Sequence, residues 1–232
     1  MTEKLFQGLT MLDFSQEQCS ILVPKMEKYI SEIILFNSAY NLTNTSNFDE
    51  IAINHILDSL SGTKAIKKLA ESIICSGINP CTLKIADIGS GGGLPGIPLA
   101  AALPQFNFTL VERMDKRCAF LENCAAILGL KNVTVMKKEA EKVSAKSFHI
   151  STFRAFRPLD EKMTKTLLAL TKNNGFLTAY KAKKSSINEE MTAIKNIVPE
   201  YTVEPLFVPF LTDCKNKKEV RERNLVIIPV KD

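Results

Sequence analysis

The sequence predicts an α/β fold: a mainly parallel seven-stranded sheet that closes in a C-terminal antiparallel hairpin and is preceded by an N-terminal helical cap. Three observations carry this. From Leu83 onward short apolar runs alternate with amphipathic stretches, the pattern of repeated strand–helix units on a parallel sheet. Up to about Ser76 the apolar residues fall at helical spacing instead. The last two apolar runs, Tyr201–Phe210 and Asn224–Val230, are rich in β-branched residues and have no helix between them, so they should pair antiparallel. A chain of 232 residues supports one sizeable core with an appendage. The change of pattern near Gly77 to Cys81 divides it into a cap over residues 1–78 and a sheet domain over 79–232.

In order, Ile21, Leu22, Met26, Tyr29, Ile30, Ile33 and Ile34 mark one cap helix, and Ile51, Ile53, Ile56, Leu57 and Leu60 another. The asparagine-rich stretch Asn37 to Asn47 interrupts them, because such side chains compete with helical hydrogen bonds and favour turns and caps. Strands are expected at Leu83–Ile88, Phe106–Glu112, Val133–Met136, Phe148–Phe153 and Phe176–Lys181, with helices at Gly96–Ala102, Asp115–Leu128, Asp160–Thr171 and Ser185–Asn196. Five strand–helix steps followed by an antiparallel pair is the order of Rossmann-like methyltransferases, whereas nicotinamide dehydrogenases continue with a parallel sixth strand.

Hydrophobic residues at 45% and charged residues at 24% place the chain among folded globular proteins. Met1 to Ser15 has no export signal, and the apolar run Ile97 to Leu103 contains Pro98 and is far shorter than a bilayer span. A cytoplasmic protein without membrane contact is expected. Six scattered cysteines form no C-x-x-C pair, and only His55 and His149 are present to complete a metal site, so no metal is expected. Thirty basic residues against twenty-five acidic give a charge of +5, which suits an anionic partner without demanding one. Lys181, Lys183, Lys184 and the stretch Lys215 to Arg223 concentrate that charge late in the chain; each reads equally well as a solvated loop.

The strongest local signal runs from Lys84 to Gly96, where a strand enters a glycine loop and then a helix. Four of the five residues from Gly89 to Gly93 are glycine, a density that admits positive φ and close approach of a ligand, and the helix that follows should offer free N–H groups. A merely tight turn would need one or two glycines. Gly91, Gly93 and Gly96 also satisfy the dinucleotide spacing, with Glu112 at a distance suited to a ribose. S-adenosylmethionine is favoured over a dinucleotide: the glycine run begins at Gly89 just after Asp87-Ile88, prolines open the helix, and no room remains for a nicotinamide substrate domain. The absence of a Walker lysine excludes a P-loop. Glu112 should accept hydrogen bonds from both ribose hydroxyls, its competing reading being an ion pair with Arg113 or Lys116.

Taken together, Asn41-Leu42-Thr43, the segment His55 to Leu60 (HILDSL), Asp87 to Gly96 (DIGSGGGLPG), Lys116-Arg117 with Phe120-Leu121, Ala140-Glu141, Arg154-Ala155 and Ala179 to Lys181 (AYK) resemble the RsmG family. These proteins, also called glucose-inhibited division protein B, are 16S ribosomal RNA guanine-N7 methyltransferases. The resemblance implies that Gly89 and Leu94 line the cofactor, that Ala140-Glu141 flank its adenine, and that Arg154 sits beside the methyl-transfer site. It implies 16S ribosomal RNA or the small ribosomal subunit as partner. The chain departs from the family at Phe153, where a small residue is usual, at Arg157, a second arginine, and at Glu112, where many members have aspartate.

Guanine N7 carries a lone pair and no proton, so methylating it needs no general base; orientation supplies most of the rate. Arg154, always protonated, is expected to align substrate by holding the guanine O6 edge or a phosphate, unless it merely pairs with Asp160 or Glu161. Asp87, Gly89, Gly91, Gly93, Leu94, Glu112, Ala140, Glu141 and Arg154 are the expected cofactor contacts, and Arg157, Lys181 and His55 the expected substrate contacts. His55 and Asp58 fall on neighbouring helical turns, which fits a structural role for the pair as well as an acid–base one; His149 reads as packing. Two alternatives stay open: a small-molecule methyltransferase on the same fold, and a non-catalytic cofactor- or RNA-binding regulator.

Overall fold

The computed structural model describes residues 2–154, 159–212 and 221–231. Helix α1 (Thr2–Met11) is followed by the long α2 (Gln16–Tyr40). Ser15 caps α2 in a reciprocal pair with Gln18, and Asn41, at φ 48°, ends it in the left-handed conformation that asparagine tolerates. After the asparagine-rich loop come α3 (Phe48–Ile51), a π-helical turn over Ala52–Leu57, α4 (Asp58–Ser61) and α5 (Thr63–Cys75).

The sheet half follows as β1 (Lys84–Ile88), α6 (Gly96–Ala102), β2 (Asn107–Glu112), α7 (Asp115–Ile127), β3 (Val133–Lys137), β4 (Phe148–Arg154), α8 (Glu161–Leu170), β5 (Thr171–Lys181), α9 (Lys184–Ala193), β6 (Thr202–Pro205) and β7 (Asn224–Val230). The strand order is β3-β2-β1-β4-β5-β7-β6. β1 to β5 are parallel, and β7 is antiparallel to both β5 and β6. The expected α/β class, mainly parallel sheet and antiparallel end are therefore present. The central strands are buried along nearly their whole length, as strands covered by helices on both faces must be.

Three local expectations fail. Between β3 and β4 the described chain makes only a 3-10 turn, Ala140–Lys142, so there are not five full strand–helix steps. β5 begins at Thr171, directly out of α8, and its ladder with β4 shifts register between Phe148 and Ile150, beside Gly175, where a Cβ would lie 2.3 Å from the His149 carbonyl oxygen. β6 is shorter than Tyr201–Phe210, spanning Thr202–Pro205, with one more contact beyond it where the Leu206 N–H donates to the Arg223 carbonyl at 2.7 Å.

Ile85, Phe108, Leu110 and Ile150 face one side of the sheet, in a buried cluster that continues through Leu5, Met26, Ile30, Ile66 and Leu121. Ala86, Ile88, Phe153, Leu177 and Ala179 face the other, against Leu167, Met163, Ile187 and Met191. The helices of residues 1–78 thus cover one face of the sheet without a break in the apolar core. Among the described residues no helix is long and apolar enough to cross a membrane, and no cluster of three His, Cys, Asp or Glu side chains could hold a metal.

Candidate active site

A cleft of about 740 Å³ opens at the carboxyl ends of β1, β2, β4 and β5, roofed by the loop after α2 and by the π-helical turn. In open α/β sheets this is where ligands bind. Gly89, Gly91, Leu94, Glu112, Ala140, Glu141, Arg154, Lys181 and His55 all line it. Asp87 and Gly93 do not: Asp87 lies beneath the glycine loop, and Gly93 ends it facing the core.

The loop starts where the N–H groups of Gly89 and Ser90 both donate to the Val111 carbonyl, tying β1 to β2 at 2.9 and 3.0 Å. Gly89, Gly91 and Gly93 take φ of 69°, 59° and 89°, which a side chain would oppose. Gly93 is also crowded: a Cβ there would come within 2.9 Å of Ile97, Tyr29 and Leu121. Asp87 Oδ2 accepts from Ser90 Oγ at 2.6 Å and from the Gly96 N–H at 3.0 Å. Burial raises its carboxyl to about 6 in spite of these bonds. The helix that follows does not offer the free N–H groups expected of it. Gly96 N–H goes to Asp87, Ile97 N–H goes to the Gly93 carbonyl, and Pro95 and Pro98 have none.

Glu112, 5% exposed, ends β2 with its carboxylate held from two directions. Oε2 accepts from the Gly91 N–H at 2.9 Å, while Oε1 accepts from the N–H groups of Arg113 at 2.8 Å and Met114 at 3.0 Å. Among the described residues it makes no ion pair with Arg113 or Lys116. Ala140 is buried at the head of the 3-10 turn, and exposed Glu141 beside it also lines the cleft.

At the other end of the cleft Arg154 ends β4. Its Nη1 donates to Asp58 Oδ2 at 2.7 Å and approaches the carbonyls of Asn54 and His55, and its Nη2 lies 3.2 Å from His55 Nδ1. The expected alternative, a surface pair with Asp160 or Glu161, is not formed: Asp160 caps α8 and Glu161 pairs with Lys165. Arg223 Nε stands 3.1 Å from the other Asp58 oxygen. Burial first, then Arg154 and Arg223, push His55 down from 6.5 to about 4. A neutral imidazole is what the contact requires, since guanidinium can only donate.

Lys181 reaches the cleft but is paired with Glu190 at 2.6 Å and lies 5.8 Å from the centre of the Phe153 ring. Phe153 itself packs into the core on the far face and does not shape the cleft. His149 does more than pack: its Nδ1 accepts the Lys84 N–H at 3.0 Å, joining β4 to the start of β1. Arg157 and most of the Lys215 to Arg223 stretch lie outside the described residues.

Residues that the sequence reading left without a site role complete the cleft. Tyr29, fully buried on α2, donates its hydroxyl to the Gly92 carbonyl; burial raises the phenol far above its usual range and keeps the proton in place. Asn37 Oδ1 accepts from the N–H groups of Leu42 and Thr43, both at 2.9 Å, and so folds the loop that forms one cleft wall. The one sequence signal for either is polarity inside an apolar helical stripe: buried Tyr and Asn need a partner.

The sequence matches the family described as GidB: rRNA small subunit methyltransferase G over residues 22–220. It is 37% identical to a ribosomal RNA small subunit methyltransferase G of Treponema denticola, covering 97% of this chain and 92% of that one. A protein of the same name from Borrelia garinii is 34% identical over 94% of this chain and 97% of its own length. Among solved structures, a human methyltransferase 10 domain containing protein superposes with a TM-score of 0.54 at 12% identity, over 88% of this chain and 95% of that one. A tRNA methyltransferase from Aquifex aeolicus reaches 0.53 at 13% identity, over 73% and 68%. At these identities the structural likeness speaks for the Rossmann-like methyltransferase fold, whereas the extent of the sequence match speaks for the family. The chain belongs to the family of rRNA small subunit methyltransferase G.

Proposed function

We propose that this chain is an S-adenosylmethionine-dependent methyltransferase that modifies N7 of a guanine in 16S ribosomal RNA, free or within the small ribosomal subunit, in the cytoplasm. The observation that carries the reading is the polarity of one cleft. A carboxylate tied to a glycine loop stands at one end, and two guanidinium groups stand at the other.

The donor set fits the cofactor. Glu112 would take the ribose hydroxyls, Ala140 and Glu141 the adenine, and Gly89, Gly91 and Leu94 the chain between. Because the N–H groups of Gly96 and Ile97 are already used, the start of α6 offers no anion cradle for a pyrophosphate, which favours S-adenosylmethionine over a dinucleotide. When bound, S-adenosylmethionine supplies a methyl group on a positively charged sulfur, which a lone pair such as guanine N7 can take with no proton transferred. His55, neutral and accepting from Arg154, is not called on as a base. Arg154 and Arg223 would hold the guanine O6 edge or a neighbouring phosphate, with Lys181 further along the RNA. Residues 1–78 would serve as a cap that folds the glycine loop and closes the cleft over residues 79–232.

Radiolabelled methyl transfer to small ribosomal subunits from a strain lacking this modification, followed by mass-spectrometric mapping, tests the proposal. Label on a single guanine N7 supports it. No label on subunits or their RNA, or label on another base, refutes it.

A further inference from the structure

Resting on the function proposed above, we infer that Asp58 is a positioning residue, which holds Arg154 and Arg223 as a matched pair on the floor of the substrate end of the cleft. The two arginines come from separate strands. Arg154 ends β4 opposite Tyr180, and Arg223 immediately precedes Asn224, which pairs with Lys181. Strand β5 lies between them, so nothing in the sheet joins the two guanidinium groups. Among the described residues the link between them is the Asp58 carboxylate, buried to 4% exposure, with one oxygen 2.7 Å from Arg154 and the other in an ion pair 3.1 Å from Arg223.

The helix that carries Asp58 is built for this. The chain from Ala52 to Leu57 runs as a π-helical turn, a local widening often found at functional sites. It brings the Asn54 and His55 carbonyls to 3.5 and 3.4 Å from Arg154 Nη1, and His55 Nδ1 to 3.2 Å from Nη2. Both terminal nitrogens of Arg154 are thereby oriented by the cap. Tyr180 completes the frame by donating its hydroxyl to the Ser59 carbonyl, one residue after Asp58.

The charge count follows. Two guanidinium groups and one carboxylate leave one net positive charge facing the cleft, with the Arg154 fork fixed by hydrogen bonds and Arg223 kept beside it by an ion pair. Removing the carboxylate charge should therefore separate binding from chemistry: a more positive cleft holds RNA at least as well, while an unheld Arg154 aligns guanine poorly.

The experiment compares the full-length parent with Asp58→Asn on small ribosomal subunits, measuring subunit affinity across salt, S-adenosylmethionine affinity by calorimetry, and the single-turnover methylation rate at saturation. The expected result is subunit binding unchanged or severalfold tighter, with a steeper salt dependence, cofactor affinity within threefold, and a rate at least 30-fold lower. Loss of affinity and rate together, or an unchanged rate, overturns the inference. Should Asp58→Asn not fold, the double variant Asp58→Asn with Arg223→Gln relieves the repulsion between two unpaired guanidinium groups. A rate in that folded variant well below that of Arg223→Gln alone supports the role of Asp58, and a rate equal to that of Arg223→Gln alone overturns it. A parent that itself transfers no methyl to subunits removes the proposed function and this inference with it, whereas an active parent with an equally active Asp58→Asn removes the inference alone.

Discussion

Replacing Glu112 by glutamine keeps the size of the side chain and exchanges one acceptor oxygen for an NH₂ donor. In the parent three N–H groups converge on the carboxylate, two on Oε1 and one on Oε2. The amide oxygen should settle where it satisfies the greater number, on Arg113 and Met114, leaving the NH₂ group facing the Gly91 N–H. That end of the side chain then points a donor at another donor and at the position proposed for the ribose. One hydrogen bond to a charged group contributes about 1.5–3 kcal/mol. Losing the ribose bond alone should therefore weaken S-adenosylmethionine binding by about 10- to 150-fold. The Arg113 and Met114 bonds survive, so the end of β2 keeps its shape and thermal unfolding should move by only a few degrees. Isothermal calorimetry measures the first quantity and scanning calorimetry the second. Cofactor binding within threefold of the parent would show that Glu112 serves the loop and not the ligand.

Arg154→Lys keeps one charge near Asp58 but loses the fork that also meets His55; the single-turnover rate should fall at least tenfold with the fold retained, and a near-parental rate would reduce the role of Arg154 to charge alone. Arg154→Ala should in addition lower stability, because it takes one of two partners from a buried carboxylate, where loss of a partner costs about 3–5 kcal/mol as an upper range; an unchanged urea midpoint would contradict this. Neutralising the exposed Lys183 and Lys184 should reduce the slope of log affinity for RNA against log salt by roughly 0.7–0.9 for each phosphate no longer neutralised, as read by filter binding, and an unaltered slope would place the RNA elsewhere. Acid should weaken the fold through His55: its pKa of about 4 lies below the ordinary 6.5, so the unfolded chain binds more protons between these values and stability is lost as pH falls from about 6.5 toward 4. Asp87, raised from 3.8 to about 6, acts in the opposite sense over pH 4–6, so the comparison is with His55→Gln. The stability gap between parent and variant should narrow from pH 7.5 to pH 5, and a constant gap would refute the neutral histidine.

What the sequence disclosed is what local pattern encodes. Apolar runs alternating with amphipathic stretches locate β1 to β5, and the crowding of glycines after Asp87 locates the glycine-loop end of the cleft, because both are properties of neighbours along the chain. The substrate end was legible only as a set of residue types. Arg154 was identified without its partner: Asp58 lies in the cap, and the local candidates Asp160 and Glu161 were the natural alternatives until the fold brought Asp58 within 2.7 Å. Tyr29 was hidden because its ring fits an apolar helical stripe, and only the folded loop supplies the Gly92 carbonyl that its hydroxyl needs. The free N–H groups expected at the start of α6 failed for a similar reason. By sequence Asp87 reads as a ligand contact, yet the tight turn directs it back onto Gly96.

The position of β7 bears on how the molecule is made. Residues 224–230 leave the ribosome after every other strand, yet they are inserted between β5 and β6, pairing with Gly175 to Lys181 on one side and Thr202 to Pro205 on the other. During synthesis β5 is therefore an open edge, with a ladder of unpaired backbone groups and apolar Leu177 and Ala179 beside it, the kind of template on which chains pair wrongly with one another. β6 cannot protect it, having no pairing with β5 until β7 arrives between them. Arg223 enters with the same strand, so the pair of arginines at the substrate end is completed in the same event that closes the sheet. A nascent chain halted before residue 223 could already hold its glycine loop and the residues proposed to seat the cofactor, up to Glu141, but it would lack one of the two guanidinium groups proposed to grip the substrate.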